Sequence, residues 1–158
     1  MPAMPPASIP APAPEFEVST DTARLDLDVI HGFLSRCYWS AGIPRETVER
    51  ALRNSLCFGL FARTSGGQVG LARVVTDHAT FAYLCDVFVL ETYRGRGLGK
   101  MLIEHVMAHP AVTGARRAML ATRDAHGLYR PFGFTDAAGS RTLMEIVHPD
   151  PYRGRSCA

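Results

Sequence analysis

Tyr93-Arg94-Gly95-Arg96-Gly97-Leu98-Gly99-Lys100 stands between a run rich in β-branched and aromatic residues, Thr80 to Leu90, and an amphipathic segment containing Leu102, Ile103 and Val106. A strand that runs into a glycine cluster opening a helix outlines an anion site. Glycine lets the backbone approach a ligand closely, and the unpaired N–H groups of a first helical turn converge on whatever lies before them. Arg94, Arg96 and Lys100 add positive charge where the helix dipole already favours a negative guest. The backbone from Arg94 through Gly95, Arg96, Gly97, Leu98 and Gly99 to Lys100 is therefore read as a cradle for a pyrophosphate. Spacing excludes two other phosphate loops. A P-loop needs glycine and Ser/Thr where this chain has Arg94 and Met101, and the dinucleotide fingerprint needs its third glycine where Lys100 stands. Taken alone, so short a stretch also fits a glycine-rich surface loop that caps a helix.

Outward from this loop the periodicity predicts the other elements. Leu27, Ile30, Leu34 and Cys37 recur at helical spacing from Asp26 and predict a first helix that stops near Gly42. Pro44 suits the first turn of a second helix, whose apolar face is Val48, Ala51 and Leu52 and which ends around Asn54. The period then shortens. Leu56 to Arg63 and Gln68 to Thr76 read as strands joined by a Ser65-Gly66-Gly67 turn, and an Asp77-His78 turn leads into the long strand Thr80 to Leu90. A helix from Gly99 to His109, a strand from Arg117 to Thr122, a short helix from Ala125 to Phe132 and a last strand from Thr142 to Val147 complete the order ααβββαβαβ. The fold class is α/β (α+β): one domain over residues 15–158, its mixed and mostly antiparallel sheet flanked by helices. Residues 1–14 hold six of the eleven prolines and no charge, and read as a disordered Pro/Ala-rich leader.

Composition narrows the partners. Seventeen basic and fifteen acidic side chains give a net charge of +2, without the basic excess of a nucleic-acid binder. No stretch has the length and hydropathy of a membrane span, and no basic region followed by an apolar core opens the chain. Cys37, Cys57, Cys85 and Cys157 are widely spaced, which predicts reduced thiols and a cytoplasmic protein. His105 and His109, four apart, lack an acidic or histidine third partner nearby, so no metal is expected.

The motif Arg94-x-x-Gly97-x-Gly99, preceded by Val87-x-Val89, resembles the (Arg/Gln)-x-x-Gly-x-(Gly/Ala) signature of the GNAT superfamily of acyl-CoA-dependent N-acetyltransferases. Downstream, Leu128-Tyr129-Arg130-Pro131-Phe132-Gly133-Phe134 is similar to that family's second signature, Leu-Tyr-x-x-x-Gly-Phe. The resemblance covers nearly the whole chain outside the leader. It implies that acetyl-CoA is the acyl donor, its pyrophosphate on the backbone from Arg94 to Lys100 and its pantetheine arm along Val87, Phe88 and Val89. It further implies that two neighbouring strands splay apart, here Leu84 to Val89 and Arg117 to Thr122, with the thioester in the gap. Where many members carry an asparagine that helps to hold the cofactor arm, this chain has Thr122, which puts that contact in doubt.

By the same resemblance, Tyr129 is the phenol that protonates or hydrogen-bonds the leaving sulfur. From its sequence context alone it reads equally as a core aromatic beside Phe132 and Phe134. Asp86 is the only carboxylate of the long strand, in the stretch where many members carry an acid that orients or deprotonates the amine; burial of a carboxylate demands a partner or a cleft. Cys85 points to the opposite face if the strand is regular, and reads as a small buried hydrophobe rather than an acyl carrier. Tyr38 and Trp39 either wall the acceptor pocket or cap the core. The expected function is acetyl transfer from acetyl-CoA to a primary amine of a small molecule or peptide by direct attack. The alternative is a non-catalytic acyl-CoA-binding regulatory module. A homodimer is expected because dimers are frequent among similar proteins.

Overall fold

Five strands in the order β1-β2-β3-β4-β5 form one mixed sheet. They are β1 (Phe16–Ser19), β2 (Leu56–Ala62), β3 (Gln68–Thr76), β4 (Phe81–Val89) and β5 (Arg117–Leu120). The first four are antiparallel neighbours, and β5 runs parallel to β4. The helices are α1 (Leu27–Leu34), α2 (Arg45–Arg53), α3 (Leu98–Ala108), α4 (Pro110–Thr113) and α5 (His126–Tyr129). This computed structural model describes residues 14–137 and 142–152. Apart from Pro14, the leader lies outside the described residues.

Both faces of the sheet are covered, which explains why β2 reads as an unbroken apolar run rather than an alternation. On one face Ile30 and Leu34 of α1 and Val48 and Leu52 of α2 pack with Cys57, Leu71 and Phe88. On the other, Leu102, Ile103 and Val106 of α3 and Val112 of α4 pack with Phe58, Leu60, Ala72, Val74 and Leu84. The turn between β3 and β4 is tied by Asp77, whose carboxylate accepts from the Thr80 hydroxyl and from the N–H groups of Ala79, Thr80 and Phe81. Those bonds, led by the hydroxyl, hold its pKa below the usual carboxylate range.

Four differences separate the chain from its sequence reading. A four-residue strand, β1, precedes the first helix and pairs with β2; Phe-Glu-Val-Ser is too short for its alternation to stand out. The first helix ends at Leu34 rather than near Gly42. The Ser40 hydroxyl donates to the Leu34 carbonyl at 2.7 Å and the Gly42 N–H to Ser35 O at 3.0 Å, so the chain turns back and releases Cys37, Tyr38 and Trp39 from the helix. Beyond α3 the chain makes a further turn of helix, α4, instead of stopping at Pro110, because proline suits a helical first turn and the His109 ring accepts the Ala111 N–H. The closing strand expected over Thr142 to Val147 does not form: Thr142 lies in a turn and residues 143–148 carry no regular structure. Its apolar residues come as adjacent pairs, Leu143-Met144 and Ile146-Val147, so a strand here would need cover on both faces.

Candidate active site

The pairing of β4 with β5 runs only from Phe81 and Arg117 to Leu84 and Leu120, whereas β4 continues to Val89. Beyond that point the strands diverge, as the expected splay required. Along the other edge of β4 the register with β3 slips: Leu71 opposes Phe88 and Arg73 opposes Cys85, so Asp86 and Val87 together face Ala72 alone. Asp86 takes a positive φ of 49°, a conformation that aspartate tolerates better than most residues. Such a bulge re-aims side chains. All of Tyr83 to Val87 line the cleft, Cys85 and Asp86 among them.

The cleft has two halves. The loop-side half, ≈ 570 Å³, is lined by Val87, Phe88 and Val89 of β4, by Arg94 and Gly99 of the glycine loop, and by Phe33 and Cys37. Gly97 sits at the N-cap of α3 with a left-handed φ of 73° and supplies no capping side chain. The first helical bond runs from Met101 N–H to Gly97 O, which leaves the N–H groups of Leu98, Gly99 and Lys100 facing outward. A Cβ at Gly95 or Gly97 would meet nothing within 4 Å, so these glycines serve their left-handed backbone rather than a tight contact within the protein. An extended strand that leads to exposed first-turn N–H groups fits a thioester-bearing arm ending in a pyrophosphate. The basic residues are partly engaged. Arg94 Nε donates to Val89 O at 3.0 Å, Arg96 lies over the rings of Phe16 and Tyr93, and Lys100 stands 3.7 Å from Glu104.

The acceptor half, ≈ 480 Å³, is lined by Tyr38, Trp39, Tyr83 to Val87, Leu120 to Ala125 and Tyr129. Asp86 is clamped there. Arg73 Nε lies 2.7 Å from its carboxylate, and Trp39 Nε1 donates to it at 3.2 Å. Arg73 Nη1 also donates to the Ser55 hydroxyl at 3.0 Å. Burial works against the charge on Arg73, but its neighbours, Asp86 foremost, more than offset it and the guanidinium pKa is raised. Phe88, Phe33, Trp39 and Tyr38 form a chain of ring contacts, and the Arg123 guanidinium sits 3.8 Å from the Tyr38 ring centre. Tyr38 and Trp39 thus roof the cleft rather than cap the core. Their side chains remain about half exposed, at 51% and 44%.

Tyr129 is buried, yet its hydroxyl has no hydrogen-bond partner among the described residues, and its ring meets Phe134 edge-on at 6.0 Å. Burial, with Tyr38 adding to it, pushes its phenol up to about 12. Tyr129 and Val87 line both halves of the cleft. Burial likewise pushes the Cys85 thiol up to about 12, which keeps it out of its nucleophilic form. Thr122 lines the acceptor half together with Val87, and its hydroxyl accepts the Ala125 N–H at 3.0 Å. Among the described residues no group of His, Cys, Asp or Glu is gathered as a metal site.

Sequence reasoning missed Arg73, Tyr83, Arg123 and Asp124. Arg73 had a legible signal, a lone cation in an apolar strand that must find a counter-charge. Arg123 and Asp124 lie just past β5, where no periodicity marks them, and Tyr83 reads like any other aromatic of β4.

The model of the "Acetyltransferase (GNAT) family" matches residues 27–134. A Gibberella zeae protein described as an acetyltransferase is 35% identical over 136 residues, spanning 73% of this chain and 76% of its own length. Serotonin N-acetyltransferase 2 of Oryza sativa is 29% identical over 146 residues, 88% of this chain and 66% of the rice protein. A crystal structure of a Xanthomonas campestris protein, described as a GNAT-family acetyltransferase, superposes with a TM-score of 0.84 at 51% identity and covers 89% of this chain and 98% of that one. The divergent strands, the glycine loop and the matched span agree: the chain belongs to the acetyltransferase (GNAT) family, enzymes that transfer an acetyl group from acetyl-CoA to an acceptor.

Proposed function

We propose that the protein transfers the acetyl group of acetyl-CoA to the nitrogen of a primary amine, of a small molecule or a peptide, by direct attack. The observation that carries this reading is the junction: two half-clefts meet at Val87 and at Tyr129, whose ring is buried while its unpartnered hydroxyl stays accessible. The backbone of Val87 to Val89 holds the pantetheine arm, and the N–H groups of the loop from Arg94 to Lys100 take the pyrophosphate. An amine in the acceptor half attacks the thioester carbon and the C–N bond forms. The carbonyl electron pair moves to oxygen, where a backbone N–H near Val87 in the bulge stabilises it. As the C–S bond breaks, the thiolate takes the proton of the Tyr129 hydroxyl, and the phenolate recovers one from water.

Asp86 accepts from Arg73 and Trp39, and a carboxylate has lone pairs for about four donors. It thus retains capacity to orient the amine or to draw its proton through water. The rice relative's name, an N-acetyltransferase of serotonin, supports nitrogen as the acceptor atom. Amine-dependent release of CoA, measured alongside Tyr129→Phe, tests the reading. Release that collapses in the variant is expected, and release equal to wild type would remove Tyr129 as the acid.

Two further properties belong to the same proposal. Met144, Ile146 and Val147 are 98%, 88% and 68% exposed, an apolar run that a second copy of the chain would cover, so a homodimer is expected by light scattering. Cys37, Cys57 and Cys85 are free thiols, which fits a reducing, cytoplasmic setting.

A further inference from the structure

The acceptor half is walled by four aromatic side chains, Tyr38, Trp39, Tyr83 and Tyr129, and is lined by three charged ones, Asp86, Arg123 and Asp124. Asp86 is paired with Arg73, and Arg123 is laid over Tyr38. The Thr122 hydroxyl is occupied by the Ala125 N–H. Two lining charges meet no opposite charge among the described residues: the Arg123 guanidinium over the Tyr38 ring, and Asp124. Asp124 is also the one carboxylate that lines both halves of the cleft, beside the junction at Val87 and Tyr129.

Resting on the reading of the cleft as an amine acetyltransferase site, we infer that the acceptor is a compact monoamine carrying an aromatic ring, with its nitrogen led to the junction by Asp124. Asp124 offers its carboxylate to one ammonium, and the Arg123 guanidinium, which no carboxylate balances, repels a second. The second and third ammonium groups of a polyamine or aminoglycoside would enter aromatic surroundings without a counter-charge, at a desolvation cost. A peptide brings backbone amides that need partners, and among the polar side chains lining this half Asp86, Trp39 and Thr122 are already hydrogen-bonded within the protein. A flat ring, by contrast, finds edges and faces of Tyr38, Trp39 and Tyr83. Asp124 is a positioning residue here, since the nitrogen must shed its extra proton before it attacks.

Kinetics with 2-phenylethylamine, hexylamine, spermidine and a tetrapeptide with a free N-terminus test this on the full chain. Phenylethylamine should exceed hexylamine in kcat/KM by about tenfold, with spermidine and the peptide below both. Tyr83→Leu keeps an apolar wall but removes the ring, and should bring the phenylethylamine-to-hexylamine ratio towards one. Asp124→Asn should raise KM for both monoamines by roughly tenfold while kcat at saturation stays within about twofold. A preference for spermidine or peptide, equal use of the two monoamines, or a loss in kcat with unchanged KM in Asp124→Asn would each overturn the inference. Calorimetry on the CoA-saturated protein separates the two readings. Phenylethylamine binding that Tyr83→Leu weakens, without turnover on any amine, would sink the transfer reaction but sustain the pocket's specificity; no binding and no turnover would overturn the inference itself.

Discussion

The glycine loop presents backbone to its half of the cleft, whereas the acceptor half presents side chains drawn from segments far apart in the chain. Gly95, Gly97 and Gly99 contribute no side chain, and the donors they set in place are peptide N–H groups opening α3. Across the junction, Trp39 from the turn after α1, Asp86 from the bulge of β4 and Arg73 from β3 make one hydrogen-bonded clamp, and Arg123 reaches Tyr38 from beyond β5. A site made of backbone tolerates exchange of its flanking side chains and fails when its φ values are disturbed. A site made of side chains fails residue by residue.

The largest expected effect lies where the halves meet. Tyr129→Phe should lower kcat by ~10²–10⁴ and leave the affinity for acetyl-CoA, measured by calorimetry, within a few-fold of wild type. The phenol is a proton donor only while protonated, and its pKa stands at about 12, so wild-type kcat should show no falling limb from this group below about pH 11. The same shift has a stability consequence. The folded phenol is raised from 10.0 to about 12, so its contribution is fully present below pH 10 and is lost as pH rises through 12. Tyr129→Phe should therefore flatten that part of an alkaline unfolding curve.

Next comes the clamp. Asp86 and Arg73 side chains are 12% and 16% exposed, so Asp86→Ala strands a nearly buried guanidinium and should destabilise the fold by about 3 kcal/mol in urea unfolding. The double change Arg73→Met with Asp86→Ala should recover much of that loss, because no unpaired charge remains. A single variant as stable as wild type would show the pair to be incidental to the fold.

Gly97→Val tests the backbone half. A β-branched residue at φ 73° costs about 1–3 kcal/mol, and if the loop relaxes to avoid it the N–H groups diverge; KM for acetyl-CoA should rise by roughly tenfold or more. The smallest effect is expected from Arg96→Ala. That side chain lies over Phe16 and Tyr93, and its loss should change KM for acetyl-CoA no more than about threefold. Should Arg96→Ala prove worse than Gly97→Val, the loop would be a side-chain site after all, and the contrast between the halves would fall.

How much of this was legible in the sequence follows the same division. The glycine loop, the strand entering it and the helix leaving it are consecutive in the chain, so spacing alone located them, and the structure moves the start of α3 by a single residue, from Gly99 to Leu98. The Tyr129 segment was equally local. The end of α1 was misjudged because Cys37 continues the helical period, and only the bonds of Ser40 and Gly42 back to Leu34 and Ser35 reveal the turn. Met144, Ile146 and Val147 looked like a strand because composition reports propensity, while a strand requires a neighbour.

By itself, then, the sequence determined a glycine loop before a helix, a phenol in a second motif and an apolar pattern sufficient for a two-faced sheet, all of them properties of residues near one another along the chain. Only the tertiary structure decided that Asp86 is clamped by Arg73 and by Trp39, 47 positions away, that Cys85 lines the same cleft, and that Asp124 pairs with no cation among the described residues. The reason is physical. Periodicity encodes which face of an element is apolar, but a bulge shifts that face by one residue, and the pairing of charges depends on distances that exist only once the strands are side by side.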